Sequence, residues 1–318
     1  MGSRFLNSSE LQRGGRWSGN NRAPWHDYRS RCIYHITLMK HPEAEDFGHL
    51  GGNCDILPGN PGSPYLIASS LGRYVKGALR RLPDIHPALR LYQYALMPDH
   101  LHLLLSVESE LDDILGRKLA ILKVMVNGLA QKEPVFLKDY NDQIIGSNRR
   151  LDDIYRYLRE NPYRLAVRRA HPEAFRRVTA IGLGSGSYSA YGNLDLLVNP
   201  FKQQVVVHRA DDTAARMRDS ERWLYCVANG GVLVSPFISK DEKTVRSAAE
   251  AVDGRIILIT DENYSDRSKP TSYDFYQCLK RRLLILTPTS HAFRMLSGRQ
   301  KFLAMNECAR QIAVGACR

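Results

Sequence analysis

The chain predicts two folded parts of different class: an α+β, ferredoxin-like domain of the split βαβ type, followed by a smaller α/β, Rossmann-like domain. Three observations carry this. Between residues 31 and 170, strand-like and helix-like segments alternate in the order β-α-β-β-α-β-α. After Pro172 the texture changes to short, wholly apolar runs separated by helical stretches, the pattern of a parallel sheet covered on both faces. Finally, 318 residues is long for one compact domain and comfortable for two. The expected division is a flexible basic arm over 1–30, the first domain over 31–170, a linker over 171–190 and the second domain over 191–318.

Taken in order, residues 1–30 are rich in Gly, Ser, Asn and Arg, and the bland expectation for them is a floppy terminus. A sharper alternative has Arg16, Arg22 and Trp25 touching a nucleic-acid backbone. Residues 32–38 (CIYHITL) are β-branched and aromatic, hence a strand, and a Gly/Pro/Asn-rich loop over 48–63 follows. Leu71, Val75, Leu79 and Leu82 share a helical face over 68–82. Residues 89–96 and 100–107 read as two strands joined tightly at Met97-Pro98-Asp99, a hairpin. A helix is expected over 111–132, a strand over 135–145, and a helix over 151–160 that stops at Asn161-Pro162, because the residue before proline avoids helical angles. Beyond the glycine-rich 181–187 run, taken as part of the linker, strands are expected at 205–207, 231–234, 256–259 and 283–287, with helices over 213–228 and 242–252 between them.

Composition narrows the classes. Lys plus Arg number 45 against 33 Asp plus Glu, a formal +12, which raises the prior for a polyanionic partner, nucleic acid or an anionic membrane surface. Hydrophobic content of 43% belongs to a globular chain rather than a disordered polycation. No run approaches the ~20 apolar residues of a membrane helix, and the first residues lack the apolar core of a signal peptide. The six cysteines include no CxxC pair, which suits a reducing cytosol better than a disulfide scaffold or zinc ribbon. The expected location is therefore the cytoplasm.

Two groups of residues could carry chemistry. His100 and His102 are two apart on a strand, so both imidazoles face one way while Leu101 and Leu103 face the other. Two such imidazoles can hold one divalent ion, although exposed strand histidines have the same spacing. Tyr157 and Asn161 are four apart at the end of a helix, hence on one face. A tyrosine on an amphipathic helix is most often packing, and Tyr155 and Tyr163 compete with Tyr157 as candidates. Tyr155 has Arg159, not an amide, four residues on, and Tyr163 follows the proline.

The runs YHITL, MPDHLHLLL, LGRKLAILKVMVNGLAQK and YLRENPYRLA, in that order over roughly residues 31–170, resemble the REP-associated tyrosine transposase branch of the single-tyrosine HUH transposases. HUH denotes His-hydrophobic-His, here His100-Leu101-His102. The resemblance implies a ferredoxin-like catalytic sheet, Mg²⁺ or Mn²⁺ on the two histidines, and Tyr157 as the nucleophile that nicks and rejoins single-stranded or hairpin DNA through a 5′-phosphotyrosine link. Related enzymes carry glutamine as third ligand four residues after the tyrosine. Asn161 stands there, one methylene shorter. Arg149, Arg150, Arg156, Arg159 and Arg164 would track the DNA backbone, and no nucleotide cofactor is implied. Such a protein would associate with the nucleoid when bound to DNA, as a monomer or a homodimer.

In the second domain, the stretches 229–239 and 254–260 resemble DNA-processing protein A and nucleotide-sensing Rossmann-like domains, with Gly230, Gly231, Ser235 and Pro236 as pocket residues or, equally, mere turn formers. A DNA-binding or regulatory role would follow. Two other functions fit the first domain: a domesticated DNA-binding protein without turnover, and a rolling-circle replication initiator. The initiator usually comes with a helicase, and the chain holds no GxxxxGK[ST] sequence.

Overall fold

The computed structural model describes residues 22–131, 134–207, 213–262 and 270–315, without the side chains of Arg149 and Thr213. Arg16 of the expected arm lies outside them. The chain divides into two compact units, Met1–Val167 and Arg168–Arg318.

The first unit is built on a four-stranded antiparallel sheet of β1 (Cys32–Met39), β4 (Leu89–Leu96), β5 (His100–Val107) and β6 (Asn141–Ile145), in the order β4-β5-β1-β6. With helices α1 (Ser70–Ile85) and α2 (Leu115–Ala130) as the two crossovers, this is the split βαβ topology that the element order predicts. Alternation decides which face each residue takes. Tyr34, Ile36 and Leu38 of β1 and Leu101, Leu103 and Leu105 of β5 are buried with Leu71, Val75 and Leu79 of α1 and with Leu115, Leu119 and Leu122 of α2 in one core. The intervening positions form a second, smaller core. There Ala95, Leu104 and Ile145 of the sheet meet Ile154 and Leu158 of helix α3 (Asn148–Ala170).

Several expectations need correction. The 48–63 stretch is not all loop, because Gly48–Gly51 (β2) pairs antiparallel with Tyr65–Ala68 (β3) in a separate ribbon. The strand expected over 135–145 is confined to Asn141–Ile145, with one isolated bridge between Lys40 and Phe136. Helix α3 does not stop at Asn161 but runs through Pro162 to Ala170. A mid-helix proline costs about 3 kcal/mol. Beyond it, continuing the helix buries Tyr163 and Val167, each contributing roughly 1.5–3 kcal/mol, so packing outweighs the local preference. The expected flexible arm is docked on the first sheet over its described part. The Arg22 guanidinium lies 3.6 Å from the Tyr140 ring centroid and pairs with Asp142, to which the Tyr28 hydroxyl also donates at 2.9 Å. Arg22 is thereby engaged by protein groups rather than free for a nucleic-acid backbone, while Trp25 remains 44% exposed.

One glycine ties the fold to the site described below. A Cβ on Gly72, in the first turn of α1, would stand 1.9 Å from the Phe47 carbonyl oxygen. The same segment holds the β4–β5 turn, since Phe47 N–H donates to the Pro98 carbonyl at 2.8 Å and Lys40 N–H to the Asp99 carbonyl at 2.9 Å. Gly72→Ala is therefore expected to lower stability by about 1–3 kcal/mol, the range for overpacking, measured as a shift in urea midpoint at unchanged slope. An unchanged midpoint would show that this contact does not constrain the turn.

The second unit holds a six-stranded sheet in the order β7-β8-β12-β11-β10-β9. Its strands are β7 (Arg176–Leu183), β8 (Gly186–Gly192), β9 (Lys202–Gln204), β10 (Val232–Ser235), β11 (Arg255–Ile259) and β12 (Leu283–Pro288). The last four are mutually parallel, and β8 joins β12 antiparallel. Helices Thr213–Ala228 (α4), Lys240–Ala251 (α5) and Ser272–Leu279 (α6) connect the parallel strands, and Gly298–Val314 closes the other face through Met305, Ala309 and Ile312 against Val232, Val234 and Ile257.

The 171–190 linker expectation is wrong. β7 and β8 form a hairpin whose two-residue turn is Gly184-Ser185, with Gly184 at φ 59°, so the glycine run makes a β-turn. The parallel strands lie in chain order, with none of the order reversal that opens a ligand crevice in doubly wound sheets. Nor do the four expected pocket residues share one end of the sheet. Gly230 and Gly231 precede β10, while Ser235 and Pro236 lie at and beyond its carboxyl end. Gly231 is there for close packing, since a Cβ on it would meet Cys226 Sγ at 2.4 Å. Among the described residues no helix is long and apolar enough to cross a membrane.

Candidate active site

The face of the first sheet opposite its main core holds the candidate residues. Register places His102 of β5 between Thr37 of β1 and Ala95 of β4, with His100 opposite Met39 and His35 opposite Leu104. Ala95 leaves room for an imidazole on that side, and His35, two residues from Thr37 on the same face, comes diagonally into reach. His35 Nε2 lies 3.1 Å from His102 Nδ1, and Thr37 Oγ1 lies 2.9 Å from that same nitrogen. His100 Nδ1 is 2.6 Å from Asp99 Oδ1, and the two Nε2 atoms of His100 and His102 are 3.1 Å apart.

These contacts orient the rings. A carboxylate only accepts, so Asp99 holds a proton on His100 Nδ1, and in the neutral ring the Nε2 lone pair lies on the His102 side. Donation of the His102 Nδ1 proton to Thr37 or His35 likewise leaves the His102 Nε2 lone pair facing inward. Two lone pairs brought together in this way suit a shared cation. Nitrogens each about 2.1 Å from one ion, at right angles, stand about 3 Å apart. The outer nitrogens are held by a carboxylate and a hydroxyl, the usual support of a metal-binding imidazole. Sequence reasoning missed His35 and Thr37. Their signal was present in the alternation of YHITL, but the strand pairing that brings β1 beside β5 was needed to read it.

Helix α3 brings Tyr157 to the same face. Its ring centroid is 5.8 Å from that of His102 and 6.3 Å from that of His35, both edge-on. The competing tyrosines separate clearly. Tyr155 is exposed on the outer side of the helix, and Tyr163 is buried, its hydroxyl pKa pushed up chiefly by burial and further by Cys54. One turn beyond Tyr157, Asn161 is fully buried, and neither atom of its amide has a hydrogen-bond partner among the described residues. An unpaired buried amide costs about 1–3 kcal/mol. A ligand bound at its Oδ1 would remove part of that cost, so the Asn161 amide has the chemistry of a cation donor.

The arginines divide. Arg156 and Arg159 are on the solvent side of α3, with Arg156 loosely paired to Asp153 at 3.9 Å. Arg150 is half-buried, and burial lowers its pKa. Arg149 has no described side chain. Arg164 contradicts its expected role, being only 1% exposed with its guanidinium carbon 5.2 Å from the Tyr157 ring centroid. A buried guanidinium cannot follow a DNA backbone. It packs as a cation over the aromatic ring, a contact of about 0.5–2 kcal/mol.

No family model matches the chain. An uncharacterized protein of Haemophilus influenzae (strain ATCC 51907 / DSM 11121 / KW20 / Rd) is 22% identical over 161 residues, covering 43% of this chain and 83% of that protein. A solved structure of a REP-associated tyrosine transposase bound to a REP hairpin matches 44% of this chain and 73% of its own, at 10% identity and a TM-score of 0.33. That overlap is too slight to bear on fold or function.

Proposed function

We propose that the first unit is a divalent-metal-dependent nickase and strand transferase for single-stranded or hairpin DNA, acting through a 5′-phosphotyrosine on Tyr157. The observation that carries this reading is the meeting of three side chains on one sheet face: two imidazoles with Nε2 atoms 3.1 Å apart, and the Tyr157 ring 5.8 Å from the His102 ring. His100, His102 and Asn161 would hold Mg²⁺ or Mn²⁺, which supplies charge neutralisation at a phosphate when bound.

The chain's own residues supply the rest. Asp99 and Thr37 fix the imidazoles, and the sheet beneath keeps both rings aimed one way. Arg164 holds the Tyr157 ring, its guanidinium carbon 5.2 Å from the ring centroid. The Tyr157 oxygen attacks phosphorus, the bond from phosphorus to the 3′ oxygen breaks, and the tyrosine proton ends on the departing 3′ hydroxyl. Reversal by that hydroxyl, or by one from a second strand, rejoins DNA without nucleotide hydrolysis, because the phosphodiester energy is kept in the tyrosine link. Arg156 and Arg159 would contact the strand outside the site.

The first test is covalent attachment to a hairpin-bearing single-stranded oligonucleotide in Mn²⁺, followed on a denaturing gel. A non-catalytic DNA-binding protein on the same fold would bind in a salt-sensitive manner and give no such product. A second test separates the roles of Arg164. Arg164→Met should slow attachment on the order of 10-fold, about 1.4 kcal/mol, and leave oligonucleotide affinity within about twofold. Reduced affinity at an unchanged attachment rate would restore Arg164 to the DNA-contacting set.

A further inference from the structure

The second unit contains a cavity of about 530 Å³ at the amino ends of β11 and β12, formed by the turns that lead into those strands and by the 194–198 segment. Its charged lining is Arg255, Lys280, Arg281 and Arg282 against Asp195 and Asp253, two positive charges in excess. The only apolar residue in the lining is Leu196, so an apolar ligand would find no wall to bury against.

Two of the turn residues adopt a backbone conformation that L side chains avoid, Asp253 at φ 64° and Arg281 at φ 59°. Such a residue costs roughly 1–2 kcal/mol where glycine would be relaxed. The backbone around them is nevertheless pinned. Asn193 Nδ2 donates to the Arg281 carbonyl at 2.8 Å, Arg281 N–H to the Cys278 carbonyl at 2.8 Å, and Gly254 N–H to the Ala249 carbonyl at 2.8 Å. Both residues end a helix, one position past the C-caps Val252 and Lys280, where a left-handed residue commonly closes the last turn, so these turns hold the cavity rim fixed.

Arg282 pairs with Asp253 and Arg255 donates to the Gly230 carbonyl at 2.7 Å, but the remaining ion pair of the cavity is weak enough to exchange. Arg281 and Asp195 meet at 3.4 Å with both side chains more than half exposed, where a pair is worth about 0–1 kcal/mol. The Lys280 side chain is exposed, and its ammonium has no hydrogen-bond or ion-pair partner among the described residues. Planar guanidinium forks beside a point ammonium match a phosphate group better than a single carboxylate.

We propose that this cavity is a phosphate-ester site, lodging the backbone of single-stranded DNA that the first unit processes. The choice of DNA as the source rests on the nickase reading; the phosphate chemistry rests on the cavity alone.

The test uses the full chain with Lys280→Ala and Arg281→Gly combined, removing two exposed cations while relaxing the positive φ. Its probes are a short fluorescent oligothymidylate and adenosine monophosphate. The oligothymidylate should bind about 10-fold more weakly to the variant, and the slope of log affinity against log salt should shrink by roughly 1.4, about 0.7 per lost phosphate contact. Melting temperature should not fall. A loss confined to adenosine monophosphate also supports a phosphate-ester site and assigns it to a free nucleotide. Affinities for both probes within about twofold of the parent would overturn the proposal. Failure of the nickase reading looks different: the parent then gives no covalent product at saturating oligonucleotide, while the binding comparison between parent and variant still stands.

Discussion

Tyr157→Phe is expected to leave oligonucleotide binding within about twofold of the parent and to abolish the covalent DNA product altogether. The substitution removes one oxygen and keeps the ring that packs beside His35 and His102 and under the Arg164 guanidinium. The ring contacts survive the substitution, so with an unchanged melting temperature a loss of product reports the nucleophile rather than the fold. Neither neighbouring tyrosine can substitute, since Tyr155 points to solvent and Tyr163 is buried, its hydroxyl made harder to ionise. Binding by denaturation-free gel shift and attachment by denaturing gel give the two readouts. Undiminished covalent product from this variant would remove Tyr157 from the mechanism.

The second large effect is on metal binding. His102→Ala should weaken Mn²⁺ binding by at least about 100-fold, the scale seen when even a supporting partner of a ligand is removed. It deletes one of the two Nε2 donors and also the ring that links His100 to Thr37 and His35. His35→Ala should be milder, on the order of 10-fold, because Thr37 still holds the His102 Nδ1. Titration of free Mn²⁺ by electron paramagnetic resonance reads both without reference to DNA. Equal affinities in the parent and the His102→Ala protein would show that the imidazole pair is not a metal site, whatever cleavage assays report.

Much of the first unit was legible from local pattern. Alternation in HLHLLLSV put His100 and His102 on the face opposite Leu101 and Leu103, and the burial of those leucines in the larger core agrees with it. The Pro98-Asp99 connection marked a hairpin, which the Leu96–Leu101 pairing shows. Helix ends were less legible. Proline after Asn161 is a local stop signal, but Tyr163 and Val167 beyond it are buried in the folded chain, and that burial holds the helix together past the proline. In the second unit, Gly184 could be recognised as turn-forming, yet whether its flanks make a linker or a hairpin depends on β12, about a hundred residues away.

For the candidate site the same division holds. Period 2 on a strand and period 3.6 on a helix put His100 with His102 and Tyr157 with Asn161 on shared faces, while the family resemblance, not the spacing, picked them from their competitors. No local rule could add His35 and Thr37 to them, or take Arg164 away. Those assignments depend on β1 pairing with β5 in one register and on α3 covering one sheet face, contacts between segments far apart in the chain. A one-residue slip of that register would send His35 and Thr37 into the leucine core, where an imidazole without a partner is too costly to bury. Local sequence thus set the faces; long-range burial chose which faces meet.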